Sequence, residues 1–211
     1  MLYFLAKEHS LPCPAVPYEE DNPMAHLEDA KGISADEALE KLKQGNKTYL
    51  NASTNSGDIS PAIRTETTAN GQHPYAIIIT CSDSRVIPES IFSAGIGELF
   101  VIRVAGNIMG DHQLGSIEYA AEHLGCPLAV VLGHTHCGAV GAAIEGGAEG
   151  FIGSITQDIK AAIGDETDGY KASCLNTHHN VERIQNSLHI PGLETVGAIY
   201  HIEDGHVEFL K

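Results

Sequence analysis

Tyr75-Ala-Ile-Ile-Ile-Thr80, running straight into Cys81-Ser-Asp-Ser-Arg85, decides the fold of this chain. The first six residues are a short apolar run rich in β-branched side chains, the pattern of a strand buried on both faces. The next five are polar and reactive, so the strand ends in a loop that can carry chemistry. Leu99-Phe-Val-Ile102 and Leu128-Ala-Val-Val-Leu132 repeat the strand pattern, and Thr195-Val-Gly-Ala-Ile-Tyr200 is a fourth candidate. Asp204-Gly205 marks a turn into Val207–Leu210, which is expected to be an antiparallel edge strand.

Helical patterns fill the gaps. Leu114, Ile117, Ala121 and Leu124 recur at spacings of three and four, and Val181, Ile184 and Leu188 do the same later. Upstream, Ser34-Ala-Asp-Glu37 is a capping box that opens a helix carrying Leu39, Leu42 and Tyr49. Ser60-Pro61 starts a second helix, and Gln72-His-Pro74 breaks it. Strands alternating with helices predict an α/β fold: a mostly parallel sheet flanked by helices, with an antiparallel edge strand near the C-terminus. Residues 1–32 hold four of the nine prolines and the acidic run Glu19-Glu-Asp21, so they read as an extended N-terminal arm. The folded domain is expected over 33–211.

Composition narrows the partners. The chain has 211 residues and a formal net charge of −16, with no cluster of Lys and Arg of the kind phosphate-backbone binding needs. Nucleic acid and anionic membrane are therefore not expected as partners. No apolar run approaches the ~20 residues needed to cross a bilayer, and the opening Met1-Leu-Tyr-Phe-Leu-Ala6 is too short for a signal-peptide core. A cytoplasmic location is the expectation. The five cysteines, an odd number, argue against a disulfide framework and for metal ligation or packing.

Two segments follow buried strands directly, where open α/β sheets place their ligands. One is Cys81-Ser-Asp-Ser-Arg85 and the other is Gly133-His-Thr-His-Cys-Gly138. If the two strands are neighbours, Cys81 can meet His134 and Cys137 in space. Two thiolates and one imidazole suit zinc, and three protein ligands leave the open position of a catalytic site. Cys137 stands at the expected start of a helix, whose dipole favours a thiolate. His136 is the alternative imidazole, although its spacing of one residue from Cys137 makes joint chelation harder. Each residue alone is weak: a cysteine after a strand is commonly a small core residue. Cys13, Cys126 and Cys174 lack any ligand context and are assigned to packing or free thiols, while His178, His179 and His206 are assigned to the surface. Asp83 next to an open zinc would compete for it. Arg85, two residues on, can hold that carboxylate away with a forked contact.

Together these motifs resemble the β-class carbonic anhydrase family. Cys81 and His134 stand 53 positions apart, and the resemblance runs from about residue 34 to the C-terminus. It includes Gln44-Gly-Asn46, Arg103-Val-Ala-Gly-Asn107 and Gly115-Ser-Ile-Glu-Tyr119. The resemblance implies zinc, one per chain, on Cys81, His134 and Cys137, with Asp83–Arg85 as a catalytic dyad. It implies Gln72 as a bicarbonate-binding amide, nine residues before Cys81. It also implies Phe100, Ala105 and Tyr119 as apolar pocket residues, some supplied across a dimer interface, and Gly138 as a backbone position near substrate. The implied reaction is reversible hydration of carbon dioxide to bicarbonate and a proton, by attack of zinc-bound hydroxide. Self-association as a dimer or tetramer follows from the same resemblance. Two thiolates cancel the zinc charge, so activity is expected to rise toward alkaline pH. His112 and His123 are proton-carrier candidates by abundance alone.

The chain departs from the family in places. Cys137-Gly-Ala139 stands where Cys-Gly-Gly is common, and Ala105 is smaller than the usual pocket residue, which implies a wider pocket. Carbonyl sulfide or carbon disulfide hydrolysis is a competing chemistry, but related enzymes carry Cys-Met-Asp where this chain has Cys81-Ser-Asp83. A non-catalytic zinc protein would show a lost dyad or a fourth protein ligand, and the sequence shows neither.

Overall fold

The computed structural model describes residues 32–210 apart from Ser53. The arm expected over 1–32 lies outside the described residues but for Gly32, and so does Cys13.

Five strands form one sheet in the order β2-β1-β3-β4-β5. They are β1 (Ala76–Thr80), β2 (Leu99–Arg103), β3 (Leu128–His134), β4 (Glu194–Tyr200) and β5 (Val207–Phe209). The first four run parallel, and β5 returns antiparallel on β4. Every residue of β1 and β3 is buried, which is why both read as unbroken apolar runs.

Side chains alternate between two cores, as the period of two requires. Ala76, Ile78, Val130, Leu132 and Ala198 face one core. Ile77, Ile79, Ala129 and Val131 face the other. Helix α1 (Ala35–Asn51) covers the first face through Ala38 and Leu42, beside the short α3 (Pro88–Ile91). Helices α4 (Asp111–His123) and α7 (Gly169–Ser187) cover the second through Ile117, Ala120 and Ile184. A further helix, α2 (Pro61–Asn70), precedes β1. The last two, α5 (Gly138–Glu145) and α6 (Gly150–Ile163), pack a third cluster beside the carboxyl ends of β1 and β3.

The expected helix starts hold. Ser34 accepts from the Glu37 amide at 3.3 Å, and Glu37 accepts from the Ser34 amide at 2.8 Å. Ser60 caps α2 with Pro61 in its first turn, and the helix stops at Gly71, which has φ of +81°.

Gln44-Gly-Asn46 has a structural reason. A Cβ on Gly45 would lie 1.9 Å from the Phe92 carbonyl oxygen, so the helix can pack this closely only with glycine. Buried Asn46 then donates to the Gly205 carbonyl at 3.0 Å and accepts from the Val207 amide at 3.1 Å. The first helix thereby pins the turn between β4 and β5.

Candidate metal centre

Strands β1 and β3 are neighbours, with Thr80 paired to Leu132, so the loops after them leave the sheet side by side. Cys81, His134 and Cys137 come together there, with ligand atoms all within 4.8 Å of one another. All three are buried. Among the described residues no fourth histidine, cysteine or carboxylate joins the group.

His134 closes β3, and its ring is set by the chain that follows. Nδ1 lies 2.8 Å from the Thr135 carbonyl oxygen, which can only accept, so Nδ1 carries the proton. Nε2 is then a bare lone pair, buried and without a hydrogen-bond partner among the described residues. An orphaned buried acceptor facing two thiols is costly unless something fills the gap. A soft divalent cation does so, and this nitrogen and sulfur donor set suits zinc. The carbonyl behind the imidazole is the outer contact that metal-bound histidines use to fix their tautomer.

One of the two thiols is prepared for ionisation. The contact with Cys137 lowers the pKa of Cys81 to about 4, and the Gly106 amide donates to Cys81 Sγ at 3.2 Å. The same contact, with burial, raises the pKa of Cys137, because two thiolates this close repel. A cation between them removes that conflict. Cys137 caps α5, and the Val140 and Ala139 amides favour its ionised form.

Asp83 is turned to Arg85, as the sequence predicts. Arg85 Nε and Nη2 donate to the two carboxylate oxygens at 2.9 and 2.7 Å, and the Arg85 amide donates at 3.0 Å. The Arg85 side chain beside it holds the Asp83 carboxyl well below the usual carboxylate range. Arg85 in turn donates to the His136 carbonyl at 3.2 Å. His136 is exposed, and its Nε2 lies on Glu203 at 2.7 Å, which removes it as the alternative ligand.

Ala105 and Gly138 also lie at this end. Ala105 opens the 3₁₀ turn Ala105–Asn107, whose Gly106 meets Cys81, and Gly138 follows Cys137 directly. Gln72, Phe100 and Tyr119 do not gather there within one chain. Gln72 precedes β1 whereas Cys81 follows it, and five extended residues alone span ~15 Å. Phe100 pairs with Ile77, three residues before the end of β1, and so sits roughly 10 Å short of the site. Its ring meets that of Tyr119, with centroids 6.2 Å apart, beside the sheet edge at β2. Neither His112 nor His123, both exposed, makes a contact that marks it as a proton carrier. Cys126 is buried and donates to the Pro74 carbonyl, a packing role, while His178, His179 and His206 are exposed.

Three supports were not identified as such from the sequence. Arg103 donates to the carbonyls of Cys81 and Asp83, at 3.1 and 2.7 Å, and so fixes the loop between them. Buried Asn176 donates to the Gly106 carbonyl at 2.8 Å. Gly106 itself has φ of +69°, and a Cβ there would lie 2.6 Å from Ile159 Cδ1. Arg103 and Gly106 belong to a motif visible in the sequence, but Asn176 lies in α7 with no local signal.

Residues 76–207 match a protein-family model described as carbonic anhydrase. A carbonic anhydrase of Mycolicibacterium smegmatis is 33% identical over 192 residues, covering 81% of this chain and 91% of that one. Carbonic anhydrase 2 of Mycobacterium tuberculosis is 42% identical over 123 residues, which are 58% of this chain and 59% of the relative. Among solved structures, a tetrameric β-carbonic anhydrase of Sordaria macrospora superposes with a TM-score of 0.63 at 26% identity, covering 71% of this chain and 87% of that one.

Proposed function

This chain belongs to the β-class carbonic anhydrase family, and from that premise we propose that it interconverts carbon dioxide and bicarbonate on zinc held by Cys81, His134 and Cys137. The observation that carries the reading is the buried Nε2 of His134, without a hydrogen-bond partner among the described residues, beside two thiols, with Asp83 drawn off by Arg85.

Zinc bound there supplies Lewis acidity, which makes hydroxide available near neutral pH. The chain's own residues do the rest. Asp83, kept ionised by Arg85, accepts a hydrogen bond from the nucleophile and aims its lone pair. Ala105 leaves room for the apolar substrate. Gly138 offers a backbone amide at the start of α5, where bicarbonate charge is favoured. Gln72 donates to a carbon dioxide oxygen as charge develops on it.

The chain acts as a dimer or a larger assembly of dimers, in which Gln72, Phe100 and Tyr119 complete the site of a second copy. Support comes from the placement of Phe100 and Tyr119 at β2, and of Gln72 beside Gly97 just ahead of that strand. That strand is a sheet edge with no outer partner among the described residues, a position proteins seldom leave bare. Tyr119 is 41% exposed there. A cytoplasmic location is part of the same proposal, supported by the thiols Cys126 and Cys174, which are unpaired among the described residues and lie outside the metal centre. Among the described residues no helix is long and apolar enough to cross a membrane.

Stopped-flow carbon dioxide hydration, run beside zinc analysis, tests the function. Zinc near one per chain with hydration that disappears on chelation is the expected result. Full zinc content without hydration would refute it.

A further inference from the structure

Glu203, in the turn between β4 and β5, is exposed yet binds two successive residues of the loop that carries the metal ligands. One carboxylate oxygen accepts from Thr135 Oγ1 at 2.8 Å, and the other accepts from His136 Nε2 at 2.7 Å. Thr135 Oγ1 also accepts from the Ile202 amide at 3.0 Å, and the Thr135 amide donates to the Tyr200 carbonyl at 3.0 Å. The loop from His134 to Cys137 is thus stitched to the β4–β5 turn at every available polar group of Thr135 but its carbonyl, which is committed to His134 Nδ1.

The stitching matters because of the backbone at His136. Its φ is +54°, a left-handed conformation that a non-glycine residue adopts only when its surroundings hold it there. That turn points the His136 carbonyl at Arg85, which donates to it at 3.2 Å while gripping Asp83 with its other bonds. Arg85 meets that carbonyl from one side, and Glu203 grips the side chains on both sides of the Thr135–His136 peptide.

We propose that Glu203 is a positioning residue for the dyad: by holding Thr135 and His136 it fixes the carbonyl on which Arg85 rests, and so keeps Arg85 on Asp83. The inference rests on the hydration reading above and deepens it. Glu203 touches neither substrate nor metal. It acts through the loop, and the loop acts through Arg85. The turn that carries it is itself anchored by Asn46, which donates to the Gly205 carbonyl.

The zinc-loaded full chain with Glu203→Ala tests this, measured beside wild type. Hydration kcat should fall roughly tenfold, equivalent to ~1.4 kcal/mol, with KM and zinc content nearly unchanged. X-ray absorption should show added oxygen around zinc, as Asp83 loses its hold. A merely structural role would not move that signature. Glu203→Gln keeps an oxygen acceptor and should recover most of the loss. If Glu203→Ala does not fold, Thr135→Val and His136→Ala each remove one arm and should each give a smaller loss with the same oxygen signature. An active wild type with unchanged kcat and oxygen count in these variants overturns the positioning role alone. An inactive wild type would instead refute the hydration reading.

Discussion

The carboxyl ends of β1 and β3 and the outer edge of β2 differ in how much of a site one chain can build. At the first, three ligands, a forked Asp83–Arg85 pair and the supports Arg103, Gly106 and Asn176 all converge from a single chain. At the second, Phe100 and Tyr119 meet beside an edge with no outer partner among the described residues, and Gln72 lies before β1, all roughly 10–15 Å from that metal centre. The metal centre is a property of the fold, since it needs two adjacent strands and their loops. On the proposal above, the substrate pocket is completed by a second copy, since one chain does not bring Gln72, Phe100 and Tyr119 to the metal centre.

The sharpest way to break that contrast is at the ligands. Cys81→Ser or Cys137→Ser removes a thiolate and should abolish zinc retention and hydration together, as metal analysis will show. Cys126→Ser, in the packed core, should keep full zinc content. The reverse pattern would dissolve the metal centre as drawn. Next in size is Arg85→Ala, which should keep its zinc yet lose roughly two orders of magnitude in hydration, because the freed Asp83 can compete for the metal. X-ray absorption should then report an additional oxygen. Asp83→Asn loses the aiming hydrogen bond too, but a neutral amide is a poorer ligand, so no added oxygen should appear.

At the β2 edge, Gln72→Ala should slow hydration roughly tenfold to a hundredfold with zinc intact, the cost of removing one donor to developing charge. Unchanged kinetics would place Gln72 outside the pocket. The smallest effect is expected away from both regions. Ser34→Ala deletes the α1 cap and should cost about 1 kcal/mol of stability by denaturant melting, with hydration per folded chain unaltered.

Much of the metal centre was legible because its signals are local. Unbroken apolar runs end in Cys81-Ser-Asp-Ser-Arg85 and Gly133-His-Thr-His-Cys-Gly138, so strand, loop and ligand read off one stretch. The structure lengthens the strands slightly, carrying β3 to His134 and β2 to Arg103. It shortens the first, which starts at Ala76, and the last, which ends at Phe209. Helix α6 was not identified, because its buried face is made of Gly153, Thr156, Ile159 and Ile163, a weak apolar stripe. The supports were harder still. Glu203 stands 67 positions from His136, and Asn176 stands 70 from Gly106, and neither sits in a pattern that a single chain reading can connect. Contacts of that kind come from the sheet order, which brings β4 beside β3.

Chain complementation tests the central contrast most directly. Cys81→Ser lacks the metal centre and Gln72→Ala lacks the pocket donor, so each protein alone should hydrate carbon dioxide poorly. When the two are co-refolded in equal amounts, half of the dimers pair one of each. In such a pair, the zinc site of the Gln72→Ala chain receives an intact Gln72 from its neighbour. Stopped-flow hydration of the mixture should rise to about a quarter of the wild-type rate per chain, the share of sites a two-fold interface restores. A mixture no faster than the mean of its two parents would contradict the account, and would mean that each chain builds its site alone.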